Sequence, residues 1–157
     1  DTNEKVGWGK ISIPEESRHT TGYWFSLDED AVAGLGRVEL QDGLWGMAHL
    51  LRHLAPIFLM CDPRDLQAVA QMRSPFTERP TLFLYENQPG GVGMARRLFE
   101  IHTKLMQAAL DLVRRCDCPS GCPGCVGPSI GEHGTNKRAA RLVLDRLCER
   151  VPEPVAV

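Results

Sequence analysis

Apolar and polar positions divide the chain into short extended segments at the front and helices behind. Val6-Gly7-Trp8-Gly9-Lys10-Ile11-Ser12-Ile13, stopped by Pro14, predicts a strand, as does Thr21-Gly22-Tyr23-Trp24-Phe25-Ser26-Leu27, rich in aromatic residues. The acidic, glycine-containing stretch 28–36 predicts mostly loop. Over 44–58 the residues Leu44, Met47, Ala48, Leu51, Leu54 and Ala55 recur at helical spacing, and Pro56 should end or kink that helix. Cys61-Asp62-Pro63-Arg64-Asp65 opens a polar, loop-like run that continues through Ser74-Pro75 and Arg79-Pro80. Thr81-Leu82-Phe83-Leu84-Tyr85 predicts a short buried strand, and Gln88-Pro89-Gly90-Gly91-Val92-Gly93 a turn. The clearest helix is 94–115, where Ala95, Leu98, Ile101, His102, Leu105, Ala109, Leu112 and Val113 make one stripe and the charged residues lie off it. A last helix fits from Thr135 or Asn136 to about Arg150, capped by one of those two residues, with Ala140, Val143, Leu144 and Leu147 on its apolar face. The segment 126–134 reads as loop and the tail 151–154 as frayed.

The pattern amounts to an α+β chain: a helix-rich single domain with a small β-sheet. Its 157 residues suit one domain with a core of its own, and 43% hydrophobic against 24% charged residues is ordinary for a globular protein. A net charge of -2 excludes a strongly basic nucleic-acid coat, so any contact with nucleic acid must come from a local patch. No signal peptide precedes the first strand and no apolar run could span a bilayer, so no membrane role is expected. The chain opens at Asp1 and is expected to be an excised piece of a larger protein.

Six cysteines sharpen the picture, because Cys116, Cys118, Cys122 and Cys125 fall within ten residues. That clustering suits a metal site in a reducing, cytosolic compartment better than an extracellular disulfide framework. Zinc takes four tetrahedral thiolates, and a closed four-cysteine shell leaves no place for water or substrate, so the ion would be structural. The Cys122-Pro123-Gly124-Cys125 step is a knuckle through which two sulfurs grip one ion; Cys116 and Cys118 supply the other two. It would lie between two helices. Adjacent disulfides, unconnected thiols and an iron–sulfur cluster are the alternatives. Cys61 and Cys148 read as packing residues, and His133 as a solvated loop residue that could replace one sulfur.

Other chemistry is sparse. The turn containing Glu86, Gly90, Gly91 and Gly93 leads from strand to helix, a place where amides can meet a phosphate, yet it lacks the spacing of a P-loop or a dinucleotide fingerprint. His49 and His53 share a helix face without a third ligand, and Asp62 with Asp65 reads as a turn and helix cap. No catalytic set and no ATPase motif is present. Arg114, Arg115, Lys137, Arg138 and Arg141 flank the cysteine cluster and are the residues placed to touch a nucleic-acid backbone. Asp117, Glu132, Asp145 and the tetrathiolate offset them, so attraction would rest on geometry rather than bulk charge.

Three motifs in order carry a resemblance: Met60-Cys61-Asp62-Pro63-Arg64-Asp65, then Leu84-Tyr85-Glu86-Asn87-Gln88-Pro89-Gly90-Gly91-Val92-Gly93, then the cysteine cluster through Val126. Over about residues 18–149 the chain resembles the C-terminal zinc-binding domain of mitomycin-repair-factor-A-type DNA helicases, superfamily 2 ATPases related to the Hrq-type RecQ-like helicases. It departs from that pattern at Glu86, where the family usually has Asp, and in lacking a further cysteine before Asn136. The resemblance implies an accessory module behind two ATPase lobes of the same chain. It would help hold single-stranded DNA during 3′-to-5′ translocation and repair, and could not hydrolyse ATP alone. A component of an anti-phage system resembles the same domain. The alternative expectation is therefore a protein-interaction module that docks a nuclease partner in a repair or defence complex.

Overall fold

Alternation along the strand Thr81–Glu86 (β3) organises the molecule, for which the computed structural model describes residues 17–128 and 135–149. The strands Gly22–Ser26 (β1) and Leu66–Gln71 (β2) flank it in an antiparallel sheet of order β1-β3-β2. Register sets Leu84 between Tyr23 and Ala68, and Leu82 between Phe25 and Ala70. Side chains two apart share a face. Leu82, Leu84 and Glu86 therefore point into the helical layer, joined there by Tyr23 and Leu66, and all five are buried. Across the opposite face runs the row Trp24–Phe83–Val69, with Trp24 and Val69 exposed.

A short helix, Glu29–Val32 (α1), is capped by Asp28, whose carboxylate accepts from Ala31 N–H at 2.9 Å. The long helix Arg37–Leu59 (α2) starts where Gly36 N–H donates to Glu39 Oε2 at 3.1 Å and ends at Met60 in the left-handed region, φ 54. The helices Met94–Glu100 (α3), His102–Arg115 (α4) and Asn136–Glu149 (α5) complete the described domain. α2 is its axis, packing on the sheet with one side and on α5 and α4 with the other. Gly43 makes the α2–α5 approach possible: a Cβ there would lie 2.8 Å from Ala139 Cβ. Leu44, Met47 and Leu51 of α2 are sealed in with Leu105, Met106 and Val113 of α4 and Val143 and Leu144 of α5. The domain is α+β, helix-rich around a three-stranded sheet, as expected.

Four details correct the sequence reading. α2 begins seven residues before Leu44; Gly43, which depresses helical propensity, stands in that front part because packing on α5 demands a small residue there. Pro56 does not end α2, which runs on to Leu59; it sits in the last turn, where its missing N–H removes one bond and its carbonyl still accepts from Cys61 at 3.2 Å. β2 occupies part of the expected loop run, and Asp62 closes the turn that leads into this strand rather than capping a helix. The helix 94–115 is broken at Ile101 (φ -102, ψ 9), where the next residue, His102, turns to Tyr23 and Phe25 of β1. The strand expected at 6–13, the residues Glu132 and His133, and the tail 151–154 lie outside the described residues. No helix among the described residues is long and apolar enough to cross a membrane.

Candidate metal centre

α4 delivers the chain to Cys116, where the backbone turns extended and the knuckle begins. The Sγ atoms of Cys116, Cys118, Cys122 and Cys125 all lie within 4.8 Å of one another. Four of the distances are 3.4, 3.4, 3.6 and 3.6 Å, in order around the ring Cys116–Cys118–Cys125–Cys122. A tetrahedron with metal–sulfur bonds of about 2.3 Å has edges of about 3.8 Å, whereas a disulfide would bring two sulfurs to about 2.0 Å. All four are free thiols. The spacing fits one ion and leaves no room for the inorganic core of an iron–sulfur cluster.

The knuckle is shaped by its own amides. Cys122 N–H points at Cys125 Sγ at 3.4 Å, and the N–H groups of Cys125 and Gly127 both donate to Cys122 O at 3.0 Å. Gly121 sits at φ 135, where a Cβ would meet Gly127 O at 2.5 Å, so only glycine closes this turn. Burial raises the Cys125 thiol pKa well above its usual value, while hydrogen bonding to the Cys118 backbone lowers that of Cys116. Four thiolates stand together here only with a cation among them. Zinc, when bound, supplies four bonds that cross-link the end of α4 to the segment leading to α5.

Three further fastenings hold the knuckle to the helices. Lys137 Nζ donates to Cys116 O and, at 2.6 Å, to Cys118 O, and its backbone N–H donates to Ser120 O at 3.2 Å. His49 of α2 donates Nε2–H to Pro123 O at 3.0 Å, its ring lying against Gly127. Asn136 Nδ2 reaches Pro128 O at 3.4 Å. Neither Thr135 nor Asn136 is seen to cap α5 with its side chain; the Thr135 hydroxyl goes to Asp42 at 2.7 Å. The role of Lys137 was not foreseen, although a signal was there. A cation in the first turn of a helix opposes the macrodipole, which points to an acceptor nearby.

The remaining basic residues are drawn into the domain to differing degrees. Arg114 pairs with Asp145, which Arg141 approaches at 3.7 Å, and Arg138 pairs with Glu39. Arg115 is exposed at the end of α4, and the Arg138 and Arg141 side chains remain more than half exposed. Lys137, Arg138 and Arg141 line one groove together with Asp145, the carboxylate that pairs with Arg114.

Glu86 and the glycine turn form a separate unit. Gly90, Gly91 and Gly93 all take positive φ, and the amides that could have met a phosphate meet Glu86 instead. Its carboxylate accepts from the Val92 N–H, from Ala95 N–H at 3.0 Å and from the Thr21 hydroxyl at 2.5 Å. Burial alone would raise the Glu86 pKa, but these hydrogen bonds outweigh it and hold the group below its usual value. The turn is thus an internal brace from β3 to α3. The His49 and His53 rings lie with centroids 4.6 Å apart, tilted by 56°, and among the described residues only the cysteine cluster gathers three or more potential metal ligands.

Comparison with known proteins agrees with this geometry. The family model of the MrfA Zn-binding domain matches residues 47–126, which include all four cysteines. The ATP-dependent helicase YprA of Bacillus subtilis (strain 168) is 36% identical over 145 residues, 90% of this chain and 19% of the relative. The ATP-dependent helicase HRQ1 of Saccharomyces cerevisiae (strain ATCC 204508 / S288c) is 23% identical over 141 residues, 80% of this chain and 13% of the relative. Among solved structures, the DUF1998 helicase MrfA bound to DNA superposes with a TM-score of 0.78 at 34% identity, covering 92% of this chain and 19% of that one. The chain therefore spans about a fifth or less of the length of these helicases.

Proposed function

The chain belongs to the MrfA Zn-binding domain family, and on that premise we propose that it is the accessory domain of an ATP-dependent DNA helicase, acting with two ATPase lobes of the same chain. In this role it helps hold single-stranded DNA during translocation in DNA repair, in the reducing cytoplasm. Its own residues carry no step of ATP hydrolysis. They position. Zinc and Lys137 lock the end of α4 against the start of α5, and Glu86 locks the glycine turn against α3. Such fastenings suit a part that must keep its shape while a strand slides past.

The observation that carries this proposal is the four-cysteine centre set in a fold that matches, over nearly its whole length, a helicase solved with DNA bound. Contacts with the phosphate backbone fall to Arg115, Arg138 and Arg141, whose side chains stay exposed although Arg138 and Arg141 also meet Glu39 and Asp145. Binding of the zinc-loaded chain to a labelled oligothymidylate, followed by anisotropy across a salt series, tests it. Affinity should fall steeply with salt, as it does wherever cations displace counterions from phosphates. No binding at low salt would favour a module that docks protein partners.

A further inference from the structure

Among the described residues, aromatic side chains are exposed at the outer edge of β1. Trp24 is 50% exposed and Phe99, in the last turn of α3, is 74% exposed, and the two line one groove of about 350 Å³. Phe25 and His102 also line it, packed edge to face at 5.6 Å, and Tyr23 hydrogen-bonds His102 Nδ1 beneath them. Burial lowers the His102 pKa and raises that of Tyr23, so this floor is uncharged at neutral pH. The rim differs. Arg96 lies one turn before Phe99 on the same helical face. Arg96 and Arg97 share the single carboxylate of Glu100 and exposed Lys104 follows on α4, so segment 96–104, which brings Phe99, His102 and Thr103 to the groove, carries three cations against one carboxylate. None of these residues belongs to the metal centre or to the basic residues that flank it.

We propose that this groove is a stacking site for the bases of single-stranded nucleic acid, with Trp24 and Phe99 as the stacking surfaces and Arg96 beside the backbone. The chemistry matches on three counts. Flat aromatic faces accept any base, because every base has a π-face. An uncharged floor suits a base rather than a phosphate. A cationic rim meets the phosphates that flank the base, where a purely apolar protein partner would leave Arg96 and Lys104 without complement. The break at Ile101 is what makes the slot: it lets His102 turn to β1 while Phe99 stays outside. The proposal rests on the DNA-holding role above and locates part of it away from the zinc.

The test is titration of the full 157-residue chain with a fluorescein-labelled oligothymidylate, comparing wild type with Trp24→Ala, Phe99→Ala, the double variant and Trp24→Phe. Each alanine should weaken binding about 5- to 150-fold, the range for loss of one stacked base. Trp24→Phe keeps a stacking face, so its affinity should stay within a few fold of wild type while the quenching of tryptophan fluorescence by the oligonucleotide is lost. Zinc content and thermal midpoint identify any variant that fails to fold, and Trp24→Phe still reports the site if an alanine variant does. If the wild type binds in a salt-dependent way and a folded double variant binds within twofold of it, the slot is not the site, whatever else it docks, and the DNA-holding role stands elsewhere. If the wild type binds no oligonucleotide at low salt, both proposals fall.

Discussion

Replacing Lys137 with Met keeps the length and apolar stem of the side chain and removes only its ammonium. In the structure that ammonium donates to the carbonyls of Cys116 and Cys118, the residues that bear two of the four sulfurs. Losing an outer partner of a metal site commonly lowers affinity by about 10- to 100-fold, which is about 1.4–2.8 kcal/mol. Because the metal joins α4 to the segment before α5, the same loss should appear as a fall of about 3–11 °C in the unfolding midpoint of the zinc-loaded protein. Competition against a chromogenic chelator measures the first quantity and calorimetry the second. Lys137→Arg, which retains charge and donors, should fall between the two. The side chain is committed to the knuckle, so Lys137→Met reloaded with zinc should bind oligothymidylate within about twofold of wild type. Unchanged zinc retention with weakened DNA binding would refute this and return Lys137 to the DNA-contacting set suggested by the sequence.

Glu86→Gln should cost about 1–3 kcal/mol at neutral pH in urea unfolding, as charge-assisted bonds become neutral ones. The folded Glu86 pKa is depressed, so its contribution is fully present above the unfolded value of about 4.3 and disappears as pH falls through the folded value. The wild type should therefore lose stability below about pH 4, and Glu86→Gln should show a flatter acid limb; matching acid limbs would remove the carboxylate from the account. Gly121→Ala places a side chain at φ 135 against Gly127 O and should lower stability by about 1–3 kcal/mol and loosen zinc. An Ala variant that chelators strip no faster than wild type would mean that the turn tolerates a Cβ.

The metal centre was legible in the sequence because its signal is local: four ligands and a Pro-Gly step lie within ten residues. Strand β3 and helix α5 were legible for a similar reason, each having a clear period between strong breaks. What stayed hidden depends on distant partners. β2 was masked because Leu66-Gln67-Ala68-Val69-Ala70-Gln71 has weak strand propensity, and only pairing with β3 makes it a strand. The front of α2 was masked by Gly43, which looks like a breaker and serves as the contact point for α5. Glu86 fills the amide pocket of the glycine turn, a contact that the sequence does not announce because Val92 and Ala95 lie six and nine residues away. The aromatic slot joins β1 to α3 across more than seventy residues, and no periodicity announces it.

The most direct test of the central claim is the metal content of the purified chain by elemental mass spectrometry, taken together with its Cys122→Ser and Cys148→Ser variants. One zinc per chain is expected in the wild type and in Cys148→Ser, with zinc and thermal stability both lost in Cys122→Ser. Iron in place of zinc, or a metal-free Cys122→Ser as stable as the wild type, would contradict a structural zinc centre in this domain.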